Sequence, residues 1–196
     1  MPGALRGIQY LYDHYATMLW ADLIAPAIHL ARQGFIVNAD LINIFEGLDD
    51  QSFLVSDPAW ATDFAPNGTL VGLGDTLTRP RYADLLQAIA DDGPDVFYTG
   101  ASAEATISAL QKAHGIMTMA DLRDYKITLR ETLQVKYRDY LVTSVGSPSS
   151  GAVVLKILKT IAGYQTLGDS AMTNISTHRV DEAIRFGYGA VRTADF

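Results

Sequence analysis

Histidines, grouped carboxylates and serines at helix starts are the residues here that could do chemistry. The four histidines, His14, His29, His114 and His178, never fall at i, i+4, so no helical pair of imidazoles is spaced to hold zinc. A structural role accounts for each of them more simply. Asp91 and Asp92 precede Gly93-Pro94, and helix-ending turn chemistry explains them better than an acid–base pair. Gly72, Gly74 and Gly100 are scattered, with neither the order nor the lysine of a phosphate-binding loop, and no G-x-S-x-G elbow occurs. One stretch remains. Ser147-Pro148-Ser149-Ser150-Gly151 joins a strand pattern to a helix pattern. A helix start presents backbone N–H donors that can meet an anion or an oxyanion. Ser149, Ser150 and Gly151 are therefore the candidate substrate-proximal loop, with a capped helix after a tight turn as the simpler reading. No spaced His and Asp partners support a self-contained serine hydrolase. Pattern alone points to no catalytic residue, no metal ligand set and no cofactor.

The elements that must position this loop are legible around it. Leu133, Val135 and Tyr137 alternate with Gln134 and Lys136, the period of a half-buried strand. Arg138-Asp139 suits a two-residue turn, with Asp the residue expected to tolerate positive φ. A return strand follows over residues 140–145. Val153, Val154, Ile157, Leu158 and Ile161 then recur at helical spacing, and Ser149 or Ser150 is expected to cap that helix. The chain before this unit reads as helical. One helix covers residues 7–15. Asp22 caps the next, with Leu23, Ile24, Ala27, Ile28 and Ala31 on one face, Pro26 in the first turn and Gly34 at the end. A short helix is expected over 40–48, and an irregular surface excursion over 57–80. Further on, Tyr82, Leu85, Leu86 and Ile89 share a face. Ser102 caps a helix carrying Ala103, Ile107 and Leu110, and a brief helix around Asp121-Leu122 leads into the strands. A polar loop after Tyr164 precedes a last helix with Val180, Ala183, Ile184 and Gly187 on one face. The fold class is α+β, mainly helical, in a single domain over residues 1–196.

Bulk properties exclude several classes. With 196 residues, 48% hydrophobic and 19% charged, the chain can bury a core. A net charge of −7 without any basic run argues against nucleic acid and anionic membranes as partners. The absence of cysteine removes disulfides and thiolate chemistry. No window reaches the roughly 18 apolar residues of a membrane span, and the first residues lack a basic-flanked apolar leader. Asn67-Gly68-Thr69 and Asn174-Ile175-Ser176 are candidate glycosylation sequons, conditional on secretion.

An ordered series of short motifs resembles the gamma-glutamyltranspeptidases (glutathione hydrolases). Pro2-Gly3 through Gly7 resembles that family's P-G-x-x-x-G entry. Trp20, Leu23, Pro26-Ala27-Ile28 and Leu30 through Phe35 resemble its W-x-x-L-x-x-P-A-I-x-L-A-x-x-G-F helix. Gly74-Asp75, Pro80, Phe97-Tyr98-Thr99-Gly100, Thr118, Asp121-Leu122 and Tyr125 follow its pattern, as do Tyr137-Arg138-Asp139-Tyr140 and Pro148-Ser149-Ser150-Gly151. His178 to Tyr188, with Glu182-Ala183, resembles its H-x-x-x-E-A-x-x-x-A-Y segment.

This resemblance implies a partial N-terminal-nucleophile hydrolase αββα sandwich, the large-subunit part, built of helices plus a β-hairpin. It implies an enzyme whose precursor cleaves itself, so that a threonine opens the small subunit and attacks the γ-glutamyl amide of glutathione or related compounds. That threonine's own amine is the base, and backbone donors hold the oxyanion. The chain corresponds to the middle and later part of the large subunit. The nucleophile, the residues gripping the substrate amino group and the arginine pairing with its carboxylate fall outside it, so it is expected to be inactive alone and to need a small-subunit-like partner chain. The alternative is a non-catalytic binding module derived from the same fold. Extracellular or cell-surface localisation is implied as well. Thr177-His178 superficially resembles the processing site, but a helix is expected after it rather than a strand. Two departures stand out. Ala152 replaces a common second glycine, which bears on close backbone approach. Gly189 to Phe196 compresses the family's G-D-P-x-F segment.

Overall fold

The computed structural model describes residues 2–193, so Ala194, Asp195 and Phe196, where the compressed C-terminal motif was expected, lie outside the described residues. The chain forms two compact units, one ending at Ile127 and the other beginning at Thr128.

The first unit opens with α1 (Ala4–Tyr15) and α2 (Trp20–Gln33). Because α2 starts at Trp20, Asp22 is not its cap. It sits in the first turn, where a carboxylate meets the positive end of the helix dipole. Pro26 likewise lies inside the helix rather than in its first turn, so the Asp22 carbonyl lacks its usual i+4 donor. Gly34 ends α2 at φ +93°, and a Cβ there would stand 2.6 Å from Thr76 Cγ2. That closeness lets β1 (Phe35–Ile36) pair antiparallel with β2 (Thr76–Leu77), Phe35 opposite Leu77. Between them come α3 (Ala39–Glu46), α4 (Phe53–Ser56) and α5 (Pro58–Phe64). The expected irregular stretch therefore contains a helix. Asp57 caps α5 by accepting from the Ala59 N–H at 2.8 Å, and Pro58 takes the first helical position. Val37, Phe45, Leu54, Val71 and Leu77 form the core beneath.

Next comes α6 (Pro80–Asp92), which packs on α2. The Trp20 indole donates to the Ile89 carbonyl at 2.7 Å, and Arg32 pairs with Asp84 at 2.9 Å. Asp63, buried in α5, reaches Arg79 at 3.3 Å and Arg81 at 3.6 Å, tying α5 to the start of α6. The unit closes with α7 (Val96–Thr99), α8 (Ala101–Lys112) and α9 (Met119–Arg123). Gly100, not Ser102, occupies the cap position of α8 and makes no side-chain bond. Tyr98, Ala103, Ile107 and Leu122 make the second core.

The second unit is a hairpin, β3 (Leu133–Tyr137) and β4 (Tyr140–Ser144), followed by α10 (Gly151–Ile161), a 3-10 turn at Ser170–Met172 and α11 (Thr173–Thr193). Val135 pairs with Val142 and Tyr137 with Tyr140. Positive φ falls on Arg138, at +54°, rather than on Asp139; the Arg138 guanidinium reaches the Leu167 carbonyl at 3.3 Å. α10 packs against β3 and α11. It buries Val153 and Leu155 and leaves Val154 exposed, so its inner face is rotated from the expected one. α11 begins at Thr173, upstream of the expected start at His178, and holds Asn174 in its first turn and Thr177 well inside. Among the described residues no helix is long and apolar enough to cross a membrane.

Candidate functional site

The loop from Val145 to Ser150 carries the chain from the hairpin into α10, with the Ser147-Pro148 peptide bond cis. The Ser149 N–H donates to the Gly146 carbonyl at 3.0 Å, which closes the turn. Ser149 and Ser150 are exposed. Ser150 takes the cap position at φ −75°, ψ 7° and its hydroxyl caps nothing. A capping side chain needs extended backbone to swing its oxygen over the first N–H groups, and Ser150 is already nearly helical. The N–H groups of Gly151, Ala152 and Val153 therefore find no acceptor among the described residues; the first bond is Val154 to the Ser150 carbonyl at 3.2 Å.

Gly151 does something else. It is buried, and a Cβ on it would lie 2.0 Å from the Val145 carbonyl oxygen and 2.4 Å from Ser144 Oγ. Its hydrogen is what lets the start of α10 rest on the end of β4. The close approach falls here, while Ala152 is half-buried beside it, so the departure at Ala152 leaves that contact intact.

Ser149 lines a cleft of about 260 Å³ together with Arg130, Glu131, Thr132, Gly146 and Pro148. Ser150 and Gly151 are not among its lining residues. The three expected site residues are thus divided: one faces the cleft, one faces solvent, one packs. Arg130 and Glu131 were not singled out from sequence, because they lie in an irregular stretch with no motif or period. Together they give the cleft one cation and one anion beside a hydroxyl, groups that can orient a small polar molecule. Ser149 has no hydrogen-bonded base, so its hydroxyl is not an activated nucleophile.

Elsewhere the candidate groups stay apart. Among the described residues no three His, Asp or Glu side chains are grouped to hold a metal ion. His14 is held by Nδ1 against the Tyr10 carbonyl at 2.8 Å. Asn67 sits in an exposed turn and Asn174 in a helix. Thr177, inside α11, keeps its nitrogen in a peptide bond and has no free amine to act as a base. A groove of about 490 Å³ in the first unit is lined by apolar side chains that include Leu5, Ile8, Leu11, Trp20, Leu23 and Leu86.

Two of the side chains with displaced acidities hold elements together. Burial pushes the Tyr98 hydroxyl up, against the opposing pull of the Arg6 N–H and guanidinium. The Thr118 hydroxyl and N–H, donating at 2.7 and 2.8 Å, hold the Asp121 carboxyl below its ordinary value; the Asp121 N–H donates back to the Thr118 hydroxyl oxygen at 3.3 Å, which makes the cap of α9 reciprocal.

Comparison with known proteins places this geometry. The family model described as Gamma-glutamyltranspeptidase matches residues 1–195. The chain is 47% identical over 190 residues to a glutathione hydrolase proenzyme of Arthroderma benhamiae, covering 96% of this chain and 32% of the relative. It is 42% identical over 192 residues to a glutathione hydrolase of Aspergillus flavus, covering 96% and 32%. The crystal structure of Helicobacter pylori gamma-glutamyltranspeptidase superimposes with a TM-score of 0.84 at 28% identity, over 96% of this chain and 54% of that one. The chain spans about a third of the length of the curated relatives it matches.

Proposed function

The chain belongs to the gamma-glutamyltranspeptidase family, and we propose that it is a large-subunit portion of an enzyme that hydrolyses glutathione and transfers its γ-glutamyl group. Its mainly helical α+β fold is the large-subunit part of an N-terminal-nucleophile hydrolase sandwich. The single observation carrying the proposal is a family match across residues 1–195 by a chain spanning about a third of its relatives.

On this reading the catalytic threonine resides on a small-subunit-like partner chain, and the present chain is inactive alone. Thr177 does not substitute for it, since it is embedded in α11. The cleft beside Ser149, with Arg130 and Glu131, faces the substrate side of the complete enzyme, and Gly151 packs against Val145, one of its lining residues. Both units belong to one folding domain, a reading supported by the family match running through each of them. The complete enzyme works outside the cell or at its surface on glutathione or other γ-glutamyl compounds. The test is release of p-nitroaniline from γ-glutamyl-p-nitroanilide. The purified chain is expected to give background only, and co-expression with the missing remainder of a relative, the upstream large-subunit segment together with the small subunit, is expected to give turnover. Release by the chain alone would overturn the reading.

A second reading, a non-catalytic binding module on the same fold, is favoured by one observation. Leu11, Tyr15 and Leu23 stand 58%, 73% and 47% exposed around the apolar groove of the first unit, an unusual concentration for a finished surface. Sedimentation separates the two: a monomer that binds no hydrophobic dye speaks against the module.

A further inference from the structure

We propose that Asn67 is a site of N-linked glycosylation and that Asn174, the other sequon, is not. This rests on the reading of the protein as extracellular or cell-surface. Both asparagines satisfy the Asn-x-Ser/Thr rule and both are exposed, so sequence alone ranks them equally. Their surroundings do not.

Asn67 lies at the tip of a loop whose base is pinned. The Val71 N–H donates to the Phe64 carbonyl at 2.9 Å and the Gly68 N–H to the Ala65 carbonyl at 2.9 Å. Ala65 and Val71 are buried at that base, while residues 66–69 are all exposed. Gly68 takes φ +79°, and a Cβ added to it would meet nothing within 4 Å, so open space surrounds the sequon. The Thr69 hydroxyl holds no partner among the described residues and is free to turn toward the Asn67 amide. Pro66 and Gly68 also keep this segment out of a helix before the chain has folded.

Asn174 is the second residue of a 21-residue helix. The hydroxyl of its sequon is already engaged, since Ser176 Oγ donates to the Thr166 carbonyl at 3.2 Å. Arg179 fastens the same segment through Thr166 Oγ1 at 2.9 Å. Presenting this sequon to a transferase requires unwinding the first turn and breaking the serine bond.

In the transfer, the Asn67 side-chain nitrogen forms a bond to C1 of the first sugar of a polyprenyl-diphosphate-linked oligosaccharide. The C1–oxygen bond to the diphosphate breaks, the lipid diphosphate leaves with the electron pair, and the amide proton passes to a base of the transferase.

The test translates the full chain, with a secretory leader added, in the presence of endoplasmic-reticulum microsomes and scores only protease-protected product. The leader forces entry, so site choice is read independently of localisation; secretion of the natural gene product is followed separately. The expected result is one mobility step, reversed by an N-glycosidase, abolished by Asn67→Gln and by Thr69→Ala, and retained in Asn174→Gln. A step lost in Asn174→Gln, two steps, or no step in the protected chain would overturn the proposal.

Discussion

Gly151 and Val145 are in contact so close that a Cβ on the glycine would sit 2.0 Å from the valine's carbonyl oxygen. The obstacle is backbone, at the end of β4, and cannot rotate away. Gly151→Ala is therefore expected to push α10 off the hairpin, at a cost of about 1–3 kcal/mol or more. A urea titration would show the midpoint falling, and hydrogen exchange would speed up in residues 133–144 while α2 and α6 keep their protection. An unchanged midpoint would remove the packing role assigned to this glycine.

Tyr98 ties the chain start to the second core of the first unit. It is fully buried; its hydroxyl donates to the Pro2 carbonyl at 2.9 Å and accepts from the Arg6 N–H at 3.2 Å. The Arg6 guanidinium also lies 4.2 Å from the ring centroid. Tyr98→Phe keeps the ring and strands both polar partners, so about 1–2 kcal/mol of destabilisation is expected by thermal unfolding. The sign of the pH effect follows from the raised pKa of the hydroxyl. Stability from the neutral hydroxyl is complete below the ordinary value of 10.0 and is lost as pH rises through the higher folded value. The phenylalanine variant should lack that alkaline loss.

How much was readable before the structure divides along physical lines. α6 was legible because Pro80 at its start, Leu85, Leu86 and Ile89 along one side and Gly93 at its end are all local signals. The hairpin was legible because Val135 and Val142 pair in the register the alternation demands. α5 was hidden because Asp57-Pro58 looks the same whether it makes a turn or caps a helix; only packing of Phe64 against Phe45, centroids 5.8 Å apart, decides. β1 and β2 are two residues each, too short to alternate. In the site, the small-residue loop was legible and its division of labour was not. Arg130 and Glu131 reach the Ser149 cleft through tertiary folding alone, and the burial of Gly151 depends on where β4 ends.

The reciprocal cap of α9 should report on acid. The Thr118 hydroxyl and N–H favour the charged form of Asp121, lowering its pKa from the ordinary 3.8. A lowered folded value means the stabilisation is present above the unfolded value and disappears as pH falls through the folded one. Wild type should therefore exceed Asp121→Ala in melting temperature at neutral pH. The gap should close progressively below about pH 4, the ordinary range of an unfolded carboxylate. A gap that persists unchanged at pH 2 would mean the cap acts through something other than the carboxylate charge.

Ser149 and Ser150 separate a substrate role from a folding role. Both are exposed, and neither hydroxyl makes a hydrogen bond among the described residues, so replacing them together with alanine removes no interaction that holds α10 in place. Surface changes of this kind shift stability by only about ±0.5 kcal/mol, and the melting temperature of the chain is expected to stay put, unlike that of Gly151→Ala. The informative measurement is made in the complete enzyme, with the whole large subunit and the small subunit present. If the Ser149 cleft faces the substrate, Ser149→Ala should raise KM for γ-glutamyl-p-nitroanilide several-fold while Ser150→Ala leaves it alone. The division follows from the cleft lining, which includes the first serine and not the second. Equal and unchanged kinetics in both variants would assign the whole loop to scaffold and leave Gly151 as its one indispensable residue.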